Sequence, residues 1–170
     1  MLFYHYGRTH LANATNLTSI LLYKYADSTN NTWGIQYKKV NGSINTLSNH
    51  NKIVSFWLPY DVTGNIQTTC VNMNKLTRFT AMYIYYYPQG SGSSWDTSRR
   101  STDITGNISI FGNKYDLRIL QFERYSTING EIKDLKNLKK LYVVDFLHCS
   151  VTGSKTDLWN QGANVTTFRI

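Results

Sequence analysis

Acidic side chains are scarce in this chain. Ten Asp and Glu stand against eighteen Lys and Arg in 170 residues, giving a net charge of +8. The imbalance comes from missing acids, since no Lys/Arg run exceeds two residues (Lys38-Lys39, Arg99-Arg100, Lys139-Lys140). A dense nucleic-acid-binding arm is therefore absent, while the positive field still favours acidic partners such as sialylated glycans, nucleic acid or anionic lipid. There are two cysteines, Cys70 and Cys149, and no Cys/His pair has zinc spacing. Their spacing leaves a disulfide and two separate thiols equally open. Only two prolines occur, and each closes an apolar run, at Pro59 and Pro88. No hydrophobic run reaches the length of a membrane span, and Met1–Arg8 carries no apolar signal core.

Aromatic residues are plentiful at 14 %, with thirteen tyrosines among them. Asn, Thr and Ser occupy the places that charge normally takes. The longest strand-former is Lys75–Pro88, in which Phe79, Ala81, Tyr83, Tyr85 and Tyr87 alternate with Thr80, Met82, Ile84 and Tyr86. Both faces carry bulk, which reads as an inner strand covered on both sides. Further strands are expected at 19–25, 33–40, 43–47, 52–58, 66–73, 104–111, 115–125, 141–149 and 165–170. Asn41-Gly42 between two of them is a hairpin signal, with Ser43–Leu47 returning antiparallel. In 115–125, Arg118, Leu120, Phe122 and Arg124 form the expected inward face. Ile132, Leu135, Leu138 and Leu141 recur every three residues with charges between, so 131–140 reads as one short helix. No internal repeat or linker is apparent. The expected fold is mainly β, a single-domain antiparallel β-sandwich over 1–170, galectin-like or jelly-roll-like.

Catalytic constellations are missing. His148 beside Cys149 would diverge on a strand; His5, His10 and His50 lie in a terminus or a polar turn, and no Gly-rich phosphate loop or nucleophile elbow occurs. Asp145 sits in an apolar strand, where an outward placement or a pair with Arg118 or Arg124 outweighs a catalytic carboxylate. No enzyme activity, metal or cofactor is expected. The segment 89–103 is the longest loop and carries Trp95, Asp96, Arg99 and Arg100. An aromatic ring with flanking cations and hydroxyls suits sugar stacking and hydrogen bonding. Arg124-Tyr125-Ser126 at a strand exit offers the same chemistry.

In order along the chain, Thr18-Ser-Ile-Leu-Leu22, Ile53-Val-Ser-Phe56, Gly106-Asn-Ile-Ser-Ile-Phe-Gly112, Arg124-Tyr-Ser-Thr127 and Val144-Asp-Phe146 resemble the receptor-binding head of the rotavirus outer-capsid spike, the trypsin-released fragment. That resemblance implies a galectin-like sandwich without enzyme activity on the virion surface. It would bind host cell-surface glycans during entry, with Arg124, Tyr125 and Ser126 lining the sugar cleft and the rest of the spike as partner. No membrane insertion is implied. Leu141–Ser150 followed by a last strand, together with Arg78–Pro88, is similar to small single-jelly-roll viral coat proteins. That second resemblance implies self-assembly and contact with packaged nucleic acid. A cellular β-sandwich interaction module is the third reading.

Overall fold

The computed structural model describes residues 16–21, 42–58, 62–82, 103–159 and 164–170. Among the described residues eleven short strands form two sheets, and every pair of neighbouring strands runs parallel. The larger sheet orders β1 (Ser19–Leu21), β3 (Ser55–Leu58), β5 (Arg78–Met82), β7 (Ile119–Glu123), β9 (Val143–Asp145) and β11 (Thr167–Arg169). The smaller one orders β10 (Ser150–Thr152), β8 (Ile128–Glu131), β6 (Ile104–Asn107), β4 (Val62–Asn65) and β2 (Gly42–Ser43). The chain alternates between them, so each coil contributes one strand to either sheet. A helical turn follows each strand of the smaller sheet: 3-10 turns at Ile44–Leu47, Ile108–Phe111 and Ile132–Leu135, and short α-helices α1 (Ile66–Cys70) and α2 (Thr156–Trp159). This is a parallel solenoid, not an antiparallel sandwich of galectin or jelly-roll type.

The coil repeats because its buried positions repeat. Strand starts in the larger sheet fall 23 or 24 residues apart at Ser55 and Arg78, and at Ile119, Val143 and Thr167. Three-residue steps then carry a side chain inward: Phe111, Lys114, Leu117, Leu120 in one coil and Leu135, Leu138, Leu141, Val144 in the next, all at 0 or 1 % exposure. Phe122 and Phe146 continue these columns two residues later, with rings stacked at 6.0 Å. Phe79 lies against Phe56 at 5.3 Å and Phe122 at 5.0 Å, so one aromatic seam crosses the coils. A strand in each sheet and a short helical turn per coil make a solenoid in which each coil packs against its neighbours.

Glycine fixes the corner before each helical turn. Gly42, Gly64, Gly106, Gly130 and Gly153 all hold φ between 117° and 139°, a region that side chains rarely adopt. A Cβ on Gly64 would sit 2.6 Å from Ile44 Cγ1, and one on Gly130 would sit 2.7 Å from Ile108 Cγ1. Gly64, Gly106, Gly130 and Gly153 thus let their coils close onto the isoleucine of the coil before, whereas Gly42 has nothing within 4 Å of an added Cβ. Gly42 serves the coil corner and Gly42–Ser43 pairs parallel with β4, so the expected antiparallel return over Ser43–Leu47 does not form.

The internal repeat escapes a direct reading because two coils are longer. From Ser19 to Ser55, and from Arg78 to Ile119, the extra residues fall around 22–41 and 83–102, outside the described residues. The signal that exposes it is the recurring corner: Val62-Thr-Gly-Asn-Ile66, Ile104-Thr-Gly-Asn-Ile108, Ile128-Asn-Gly-Glu-Ile132 and Val151-Thr-Gly153. Several expected strands shorten accordingly. Ser43–Leu47 and 66–73 are largely helical turns; 104–111 is half strand and half 3-10 turn; 141–149 pairs only over Val143–Asp145. The expected helix over 131–140 is one 3-10 turn, because all four leucine-type positions of its period-three run point inward as the chain bends around the core. The expected strand over 75–88 is β5 where described, lying between β3 and β7 with Phe79 and Ala81 facing the core, while 83–88 lies outside the described residues. Leu120 and Phe122 face inward as expected, whereas Arg118 is exposed. The expected strand 33–40 lies outside the described residues.

Candidate functional site

Alternation along the strands of the larger sheet sends every second side chain away from the core. Register aligns these outward positions into rows. One row runs Ser55, Arg78, Ile119, Val143, Thr167; the next runs Trp57, Thr80, Gln121, Asp145, Arg169. The inward strand positions are apolar, whereas the outward rows mix hydroxyl, aromatic, amide, aliphatic and charged side chains. Trp57 and Gln121 are half-buried, and Thr80 and Asp145 are buried. Thr80 Oγ1 donates to Gln121 Oε1 at 3.4 Å, joining adjacent coils.

Charge gathers at the last coils. Arg169 forms an ion pair with the fully buried Asp145 carboxylate and lies 3.9 Å from Glu123 Oε2. Arg124 Nε is 3.5 Å from Glu123 Oε1. Asp145 Oδ1 also accepts from the Leu147 amide at 3.3 Å. The hydrogen bond to Asp145 holds the Arg169 guanidinium pKa above its ordinary value. Asp145 therefore faces outward, as expected, but its partner is Arg169 of the next coil, reached only because β9 and β11 pair in parallel.

The expected sugar-binding residues are dispersed differently from the picture drawn by the sequence. Tyr125 is fully buried and packs edge-on against Phe122 at 6.5 Å. Arg124 is 9 % exposed and takes a left-handed φ of 68°, with its amide donating to Leu147 O. Ser126 accepts from Ser150 Oγ through its carbonyl at 2.6 Å. Trp95, Arg99 and Arg100 lie outside the described residues. His148 occupies the position equivalent to Arg124 one coil later, again left-handed at φ 63°. Its neighbour Cys149 donates Sγ–H to Phe122 O at 3.2 Å. Cys70 is fully buried and stands, like Cys149, as a thiol rather than in a disulfide; burial pushes the Cys70 pKa far up, away from thiolate reactivity.

One core column carries two polar groups. His50 and Lys114 occupy the step filled elsewhere by Met73 and Leu138, and both have no exposure. Lys114 Nζ donates to Val71 O at 3.2 Å and Asn74 Oδ1 at 3.0 Å. The coil holding α1 has one residue more than its neighbours at this point. Its turn consequently closes as an α-helix, and Lys114 of the next coil caps the carbonyl end. Desolvation lowers the Lys114 pKa. The nearby Cys70 thiol offsets part of that shift, and the two hydrogen bonds at the carbonyl end of α1 give Lys114 a structural role.

Among the described residues no group of three His, Cys, Asp or Glu is placed to hold a metal ion, and no helix is long and apolar enough to cross a membrane. No protein-family model matches the chain, and no curated protein matches it.

Proposed function

We propose that the protein is a recognition module without catalytic chemistry of its own, attaching to glycan-bearing surfaces through the outward face of its larger sheet. One observation carries the reading: the strands turn apolar side chains inward while their parallel register lines up aromatic, hydroxyl, amide and charged side chains in one outward row. Solenoids use such a face as an extended contact surface. Trp57 offers a ring for the C–H face of a sugar, and Gln121 and Arg169 offer hydrogen bonds to hydroxyls and carboxylates. Attachment at a virion surface belongs to the same proposal. Its support is now this surface alone, because the galectin-like fold implied by the spike-head resemblance is not the fold of the chain.

Single-site affinity is expected near about 1 mM, with multivalent display raising it. A glycan array printed with wild-type protein at high density, repeated with Trp57→Ala and Gln121→Ala, tests this. The expected result is a restricted set of glycans whose signal both substitutions abolish. A wild-type array without ligands, or signals that survive both substitutions, overturns it.

A further inference from the structure

We infer that a second surface, the turn edge where each coil enters the larger sheet, binds a linear sulfated polysaccharide. The edge is defined by a backbone ladder: the amides of Val54, Thr77, Arg118, Tyr142 and Thr166 each donate to the equivalent carbonyl of the coil before, at 2.7 to 2.9 Å. Two residues earlier in each coil lie Asn16, Lys52, Lys75, Asp116 and Lys140, side by side. Their adjacency is direct: Lys52 Nζ donates to Asn16 Oδ1 at 2.6 Å, and Lys140 Nζ to Asp116 Oδ1 at 2.5 Å. Arg118, Lys136 and Lys139 extend the same edge. All six cations are exposed.

The charge asymmetry is complete. Described residues hold twelve Lys and Arg and seven Asp and Glu, a net +5. This edge has six of those cations and one acid, Asp116, which Lys140 already pairs. The remaining described residues hold six cations and six acids, so the edge carries the whole excess of the described residues. Such a single-sign strip concentrates polyanions.

The composition of the strip favours a sulfated sugar chain over nucleic acid. Five of its six cations are lysines, mobile point charges that follow a flexible polyanion without needing a fixed bidentate geometry. Beside them runs an exposed amide column, Asn49, Asn72, Asn113 and Asn137, suited to sugar hydroxyls. Tyr115 and Tyr142 are 63 % and 40 % exposed on this edge, giving two ring faces rather than a stacking platform for each base. Coils about 4.8 Å apart place Lys52 and Lys140 about 14 Å from each other along the strip, a span for several charged groups of one extended chain.

Heparin is the probe. Binding is titrated from 50 to 300 mM NaCl, by approximate decades of affinity, for wild type, for Lys75→Gln with Lys139→Gln, and for Lys133→Gln with Lys155→Gln. Both doubles remove the same charge, but only the first touches the edge. The edge double is expected to weaken binding about tenfold and to lower the salt slope by about two, while the other changes affinity less than about twofold. Trp57→Ala should leave heparin binding intact, which separates this inference from the sheet-face proposal. Equal weakening by the two doubles, loss of heparin binding in Trp57→Ala, or tighter binding of a single-stranded oligonucleotide than of heparin at equal salt would each overturn it.

Discussion

Replacing Gly130 by alanine tests the solenoid corner directly. The glycine holds φ 124°, and an added Cβ would meet Asn107 Oδ1 and Ile108 Cγ1 at 2.7 Å. Two costs arise. Forcing an L side chain into this backbone region costs about 1–3 kcal/mol, and displacing the packed isoleucine and asparagine of the neighbouring coil adds about 1–3 kcal/mol. Gly42 isolates the first, because its φ is 134° yet nothing lies within 4 Å of an added Cβ. The reduced backbone entropy of the unfolded chain is common to both substitutions and cancels in the comparison. Gly130→Ala should thus lose about 4 kcal/mol and Gly42→Ala about 2 kcal/mol. Urea unfolding followed by circular dichroism reads both, and at about 2–4 °C per kcal/mol the thermal midpoints should differ by roughly 4–8 °C. Equal midpoints for the two variants would refute the inter-coil contact, and wild-type midpoints for both would refute the corner conformation itself.

Lys114→Met should change stability at pH 7 by less than about 1 kcal/mol, because an apolar side chain suits the column of Met73 and Leu138, whereas Lys114→Ala should cost about 2–3 kcal/mol through the cavity. The folded-state pKa of Lys114 is depressed below 10.5, so the unfolded chain binds more protons in that window. Wild-type stability should then rise relative to Lys114→Met as pH climbs from the depressed value toward 10.5, and chemical denaturation at stepped pH checks the sign. Arg169→Met leaves the buried Asp145 unpaired and should cost about 2 kcal/mol, less than for a fully buried pair because Arg169 is half exposed; adding Asp145→Asn should recover part of it in a double-mutant cycle. Asn65 caps α1 by accepting from the Gln67 and Thr68 amides at 2.8 and 3.3 Å, so Asn65→Ala should lose about 1 kcal/mol in the same unfolding assay. In native protein a thiol reagent should modify Cys149 well before the fully buried Cys70, and equal rates would contradict the burial.

The outward row of the sheet could not be read from single segments. Trp57, Gln121 and Asp145 lie dozens of residues apart, and only parallel register makes them neighbours. Tyr125 shows the converse. A tyrosine after an arginine at a strand exit looks like contact chemistry, yet the left-handed turn at Arg124 swings the ring into the core beside Phe122. The basic edge was half legible: Lys52, Lys75 and Lys140 each stand three residues before a strand, but the coil spacing was needed to align them.

Composition and local pattern by themselves determined a β-rich chain, an inner strand at Arg78–Met82, and the inward side of Leu120 and Phe122. Those features depend on burial within one strand, which alternation reports. The tertiary structure alone decided that neighbours run parallel and that Ile132, Leu135, Leu138 and Leu141 line a bent coil instead of one helix face. A step of three apolar residues satisfies either geometry locally. The choice falls to the next coil, whose corner glycine packs against the isoleucine of this one and whose strand supplies the hydrogen bonds, and those partners are set by contacts that close over a whole repeat.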